Sequence, residues 1–192
     1  MIHIPESRKL TLVSFRGPMG SGKTAAADIL VRDHGFVKLS FATPLKKIAA
    51  KITPDGLIDK ARDRVLLQFL GTDYFRALDP DYWVKQWVKA VIERLELTEG
   101  ECRIVADDCR FPNEVSAVKR LFGYEFYLET SLANRALRLK VRDGVAVDGI
   151  ENHPSEKAMP LEGARVLRND NNLNDLALEL QDFWAHGGTV DA

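Results

Sequence analysis

Apolar residues change their spacing from one segment of the chain to the next, and the changes predict an alternation of strands and helices. Leu10 to Phe15 reads as a first strand, followed by a glycine-rich turn. A helix is predicted from Lys23 to Asp33, with Gly35 suited to end it. Phe36 to Phe41 reads as a second strand. Thr43 and Pro44 suit a helix N-cap and first position, and Leu45, Ile48, Ala49 and Ile52 then repeat with helical spacing. Thr-Pro-Asp-Gly at 53–56 breaks that helix, and another is predicted from Ala61 to Leu70. Asp79-Pro80-Asp81 opens a further helix whose Val84, Trp87, Val88, Val91 and Leu95 share one face.

The pattern continues with a strand from Arg103 to Asp107 and a helix from Pro112 to Gly123. A strand from Tyr124 to Glu129 leads into a basic helix from Leu132 to Arg142. After a loop holding Gly144 and Gly149, Asn152 to Glu156 reads as a turn entering a short helix. Arg165 to Arg168 is the last strand, and Leu173, Leu176, Leu180 and Trp184 mark a closing helix. Five strands separated by helices predict an α/β fold, a mainly parallel sheet covered on both faces.

Composition narrows this only a little. The 192 residues are 45% hydrophobic and 29% charged, which suits one folded domain and argues against disorder. A formal net charge of -1 supplies no general attraction to nucleic acid polymers. Two cysteines, Cys102 and Cys109, are too few for a disulfide framework. The opening segment lacks the apolar stretch of a signal peptide, and no run of about 18 apolar residues would span a bilayer. The expectation is a cytoplasmic protein without a membrane partner. A homodimer is compatible with the sequence.

The densest chemistry is GPMGSGKT, from Gly17 to Thr24, which satisfies G-x-x-x-x-G-K-[ST] at every specified position. It lies between a predicted strand and a predicted helix, as phosphate binding requires. Glycines let successive N–H groups turn toward phosphate oxygens, and the helix N-terminus adds its positive dipole end. Gly17, Gly20, Ser21, Gly22, Lys23, Thr24 and Ala25 are therefore candidate ATP-binding residues. Lys23 supplies a full charge, and the Thr24 hydroxyl is a candidate Mg²⁺ ligand. Neither Asn-Lys-x-Asp nor a suitable Asp-x-x-Gly is found, which disfavours a GTPase. A compact kinase fits the length better than a mechanical ATPase.

Phosphoryl transfer needs cations around the transferred group. Arg135, Arg138 and Arg142 recur on one face of the basic helix and are candidate catalytic residues on a lid. At the end of the third strand, Asp107 or Asp108 is the expected second Mg²⁺ partner, with Asp108 the favoured one.

Five segments together resemble the bacteriophage deoxynucleoside monophosphate kinases, within the wider P-loop nucleoside monophosphate kinase group. They are GPMGSGKT, SFATPLKKIA (40–49), LLQFLGTDYFR (66–76), DCRFPNE (108–114) and HPSE (153–156). The resemblance implies a three-layer α/β/α P-loop fold in a single domain over 1–192, with an acceptor-binding helical region at about 40–95 and a lid at about 131–155. It implies ATP-dependent conversion of a deoxynucleoside monophosphate to its diphosphate, with Mg²⁺, in host cytoplasm if phage-encoded. Phe41, Lys46, Gln68, Arg76, Trp83 and Arg110 would bind the monophosphate, the two arginines at its phosphate. Asn169 and Asp170 would lie where related kinases hold the adenine of ATP. His153 and Glu156 receive no chemical task. The alternatives are another small P-loop kinase, such as one acting on dephospho-coenzyme A, and an ATP-binding regulatory protein.

Overall fold

The computed structural model describes residues 9–59, 62–143, 161 and 163–185, the side chains of Arg142 and Asp143 excepted. Five strands form one sheet: β1 (Lys9–Arg16), β2 (Val37–Lys38), β3 (Glu101–Ala106), β4 (Tyr124–Glu129) and β5 (Arg165–Arg168). Their order is β2-β3-β1-β4-β5, and β4 runs parallel to both β1 and β5. The predicted α/β architecture is therefore the observed one. Among the described residues, no helix is long and apolar enough to cross a membrane.

Contacts group the chain into two compact units, one comprising residues 1–11 and 39–104, the other 12–38 and 105–192. The second unit holds the larger core. Val13 and Phe15 of β1, Phe126 and Leu128 of β4 and Leu167 of β5 are at most 1% exposed. Helix α1 (Lys23–His34) contributes Ala26, Ala27, Ile29 and Leu30, and its last turn ends at Gly35 in the left-handed region, as the glycine predicts. Phe126 meets Phe15 and Phe183 edge to face or tilted, with centroids 5.6 and 5.0 Å apart. Burying each such ring is worth about 1.5–3 kcal/mol.

Helices α6 (Pro112–Arg120), α7 (Leu132–Asp143) and α8 (Leu173–Ala185) complete this unit. Their positions agree with the helical spacing of the sequence. The start of α6 is held by Glu114, whose buried carboxylate accepts hydrogen bonds from the Arg110 and Phe111 N–H groups at 2.7 and 3.1 Å. This one-sided cap, made by the Glu114 carboxylate alone, fixes the path of the loop that follows β3.

In the first unit, α2 (Ala42–Ala50) packs against α5 (Tyr82–Glu96). The expected strand Phe36 to Phe41 is cut to the two residues of β2, because Phe41 turns into the start of α2. There its ring stacks on Trp87 at 4.3 Å, and the Trp87 indole N–H donates to the Leu39 carbonyl at 2.8 Å. One stacked aromatic contact and a bonded indole N–H outweigh further ladder pairing.

Between α2 and α5 the expected single helix is three pieces: α3 (Arg64–Gln68), a π-helical turn (Phe69–Tyr74) and α4 (Phe75–Leu78). Gly71 in the widened turn lies against Leu45, where an added Cβ would come within 3.0 Å of the leucine side chain. The Gly71 carbonyl accepts the Trp83 indole N–H at 2.9 Å. The π turn is thus pinned from α5 by a buried donor.

Candidate nucleotide-binding site

The carboxyl ends of β1, β4 and β5, with the segment after β3, supply the residues expected to handle phosphate. After β1 the chain turns through Gly17, Gly20 and Gly22, with φ of 138°, 81° and 99°. Side chains are excluded here for a second reason. A Cβ on Gly17 would lie 2.6 Å from the Leu128 carbonyl oxygen, and one on Gly22 would lie 2.2 Å from Asn169 Nδ2. The loop is closed against β4 and the β5–α8 turn as tightly as glycine permits.

Lys23 opens α1 and is only 8% exposed. Its ammonium donates to the Gly17 and Pro18 carbonyls at 2.6 and 2.9 Å. The charge is therefore held over the loop by neutral acceptors, which a phosphate can replace with charge-assisted hydrogen bonds. Thr24 is exposed, and its hydroxyl donates to Asp107 Oδ2 at 3.0 Å. Lys38 also approaches Asp107, at 3.9 Å, while its closer partner is Asp28. Of the two adjacent acids it is Asp107, and not the expected Asp108, that meets Thr24. A hydroxyl and a carboxylate oxygen form the hard donor set that suits Mg²⁺ beside a nucleotide.

Helix α7 lies over the same loop. A Cβ on Gly20 would meet the Arg135 carbonyl at 3.0 Å and the Leu139 side chain at 3.2 Å. Arg135 Nε donates to the Met19 carbonyl at 2.8 Å, and Arg138 Nη2 donates to the Asn169 carbonyl at 2.8 Å. The expected arginine face is thus turned to the phosphate loop at two of its three positions. Arg142 ends the same helix, its side chain outside the described residues. Two buried polar atoms beside the loop, Ser21 Oγ and Arg138 Nη1, have no hydrogen-bond partner among the described residues. Both are groups that an anion's oxygens would satisfy.

Asn169 and Asp170 are engaged within the protein. Asn169 is 3% exposed, and its Nδ2 donates to the Ser21 carbonyl at 2.7 Å. Asp170 Oδ1 accepts from the Ser131 N–H and from Asn134 Nδ2, both at 2.8 Å, which caps α7. The hydrogen bonds from Ser131 and Asn134 hold its carboxyl below the usual range.

Sequence reasoning missed a buried ion pair beneath the site. Arg16, the residue before the loop, is paired with Glu125 of β4, and their side chains are 2% and 1% exposed. Ser14 stands opposite Glu125 in the sheet register, so Arg16 is two residues further along on the same face. Burial pushes the Glu125 carboxyl up despite Arg16 and the Lys119 ammonium 3.8 Å away. Burial likewise raises the Cys109 thiol, aided by Glu114, Glu125 and Asp108, so this cysteine is no nucleophile. The available signal was a charged residue closing one apolar run, Arg16, and another set inside a second run, Glu125.

In the first unit, the expected base contacts from Phe41 and Trp83 give way to core roles. Each is 2% exposed, one stacked on Trp87 and the other bonded to Gly71. Arg76 is half-buried in α4, its Nη1 3.5 Å from the Pro80 carbonyl. Lys46 is half-buried on α2 and Gln68 is exposed at the end of α3. Arg110, in the other unit, is half-buried in the loop that Glu114 fixes. His153 and Glu156, and the expected lid beyond residue 143, lie outside the described residues.

No protein-family model matches the chain. A protein of Acanthamoeba polyphaga mimivirus, named "Putative deoxynucleotide monophosphate kinase", is 29% identical over 171 residues, spanning 77% of this chain and 81% of that protein. The fold resembles TT1252 from Thermus thermophilus, with a TM-score of 0.60 and 21% identity over 95% of this chain and 99% of the other. It also resembles the Mycobacterium tuberculosis APS kinase CysC, solved in complex with AMPPNP and APS. That match has a TM-score of 0.53 and 16% identity over 93% and 99% of the two chains. At these identities the likeness of structure concerns the fold alone.

Proposed function

We propose that this chain is a nucleotide kinase that transfers the γ-phosphoryl group of ATP to the 5′-phosphate of a deoxynucleoside monophosphate. The observation that carries the reading is the loop from Gly17 to Thr24, which stands between β1 and α1 with Lys23 above it and Arg135 and Arg138 turned toward it. The acceptor class rests on the resemblance of the segments at 40–49, 66–76 and 108–114 and on the name of the mimivirus relative.

In this reading the loop's N–H groups and the α1 N-terminus bind the β- and γ-phosphates. Lys23 leaves the Gly17 and Pro18 carbonyls for those oxygens. Thr24 and Asp107 would hold Mg²⁺, which would supply positive charge to the bound phosphates. Arg135, Arg138 and Arg142 stabilise the charge that spreads over the transferred group. Arg76 orients the acceptor phosphate as a bidentate partner, with Lys46 and Gln68 of the same unit contributing to the nucleoside, and Arg110 is a further candidate phosphate ligand carried by the second unit. The acceptor needs no general base, because a phosphate monoester with a second pKa of about 6 is largely dianionic at neutral pH.

The test is a coupled ADP-release assay with ATP and Mg²⁺ against deoxy- and ribonucleoside monophosphates and dephospho-coenzyme A. ADP formation with a deoxynucleoside monophosphate supports the reading. ADP formation with dephospho-coenzyme A alone, or ATP binding with no turnover on any acceptor, overturns it.

A further inference from the structure

The β5–α8 turn connects three parts of the nucleotide site through one residue. Asn169 Nδ2 donates to the Ser21 carbonyl at 2.7 Å, and the Thr130 hydroxyl donates to the same oxygen at 3.2 Å. The acceptor fixes the orientation of the amide, since only its NH₂ end can donate to a carbonyl. The Asn169 backbone carbonyl in turn receives Arg138 Nη2 at 2.8 Å, while the single Thr130 hydroxyl proton, 3.3 Å from this oxygen and 3.2 Å from that of Ser21, is shared between the two. Asn169 N–H donates to the Glu129 carbonyl at 2.8 Å, which holds the residue at the end of β4. With 3% exposure the side chain has no surface left to offer a purine ring.

We propose that the Asn169 side chain is a positioning group for the triphosphate, acting through the Ser21–Gly22 peptide while the backbone carbonyl of the same residue holds Arg138, and that it makes no contact with the base. A trans peptide carries its C=O and the following N–H on opposite sides. Two donors drawing the Ser21 oxygen toward Asn169 and Thr130 therefore turn the Gly22 N–H the other way, toward the loop. Gly22 must lack a Cβ for this contact, since one would come within 2.2 Å of Asn169 Nδ2. The same residue's carbonyl engages one arm of Arg138 and leaves the buried Nη1 without a partner among the described residues, 3.8 Å from the position a Gly22 Cβ would take. One asparagine thus sets an N–H donor and a guanidinium arm on the same small region.

The inference rests on reading the Gly17–Thr24 loop as an ATP site, and its test separates the two. Binding of ATP, GTP and inorganic triphosphate is measured by calorimetry for the wild type, Asn169→Ala and Asn169→Asp, with thermal unfolding of each protein alone. The expected result is a loss of about tenfold or more for all three ligands in Asn169→Ala, a greater loss in Asn169→Asp, and an unchanged ratio of ATP to GTP affinity. A changed ratio with triphosphate binding intact assigns Asn169 to the base and overturns the proposal. So does unchanged binding of all three. If Asn169→Ala fails to fold, Thr130→Ala decides, with a smaller base-independent loss expected and unchanged triphosphate affinity overturning the proposal. Wild-type protein that binds neither ATP nor triphosphate overturns the ATP-site reading itself and this proposal with it.

Discussion

The Thr24 hydroxyl donates a 3.0 Å hydrogen bond to Oδ2 of Asp107, which links the first turn of α1 to the residue after β3. Oxygen atoms that already meet need little rearrangement to share a cation. Asp107→Asn is expected to lower kcat by about 10- to 100-fold and to raise the Mg²⁺ concentration needed for half-maximal rate. Asp108→Asn is expected to have the smaller effect on both. Rates measured across a Mg²⁺ titration for the two variants check the order, and a larger effect at Asp108 would return the metal to that residue.

Lys23→Ala is expected to remove nearly all turnover while the far-UV circular dichroism stays that of the wild type. The lysine donates to the Gly17 and Pro18 carbonyls of its own loop and is not part of the apolar core of the second unit. Wild-type kcat in this variant would sink the assignment of the loop.

Arg76→Ala is expected to raise KM for the monophosphate far more than KM for ATP. The arginine lies in α4, in the unit that carries the segments resembling an acceptor-binding region. Initial-rate kinetics with each substrate varied in turn give the comparison. A rise confined to the ATP constant would move Arg76 out of the acceptor site.

The Arg16–Glu125 pair is nearly sealed from water, so removing Glu125 takes the carboxylate from a buried guanidinium, and removing Arg16 leaves Glu125 with the Lys119 ammonium at 3.8 Å. Glu125→Leu alone and Arg16→Met alone are each expected to cost about 3–5 kcal/mol in urea unfolding. The double variant is expected to recover most of that loss, because two apolar side chains of similar volume need no partner. Additive losses in the double variant would refute the coupling.

Glu101 gives an acid-side dependence of stability. Hydrogen bonds from Arg103 and Thr11, with Lys9 at 3.2 Å, hold its carboxyl at about 2 against an ordinary value of 4.5. A lowered native pKa stabilises the fold above the ordinary value and loses that contribution as pH falls toward the native one. The urea midpoint of the wild type is expected to fall between about pH 4.5 and 2, and that of Glu101→Gln to fall less over the same interval. Parallel curves would show that Glu101 does not carry the slope.

Much of the fold was legible because its signals are local. The strands β4 and β5 and the ends of α1 follow from apolar runs bounded by charged residues and from Gly35. The π turn was not legible. In LLQFLGTDYF apolar residues are spread around most of the helix, so a one-residue insertion leaves no readable change of phase, and the pin that holds the turn, Trp83, arrives 12 residues later. The phosphate loop was legible as a motif, whereas the choice of Asp107 over Asp108 depends on a contact 83 residues from Thr24. Asn169 was singled out for its place after a strand, but its partner Ser21 is 148 residues away, and no spacing rule reaches that far.

Gly17 and Gly22 are confined by the Leu128 carbonyl and the Asn169 amide, atoms of the protein itself. The motif is therefore written twice over, once for phosphate and once for architecture. A descendant that had abandoned catalysis would be free to lose Lys23 and Thr24 while packing alone kept those two glycines in place. Under the proposed kinase reading, the glycines speak for the scaffold, and the lysine and threonine are the positions that speak for catalysis.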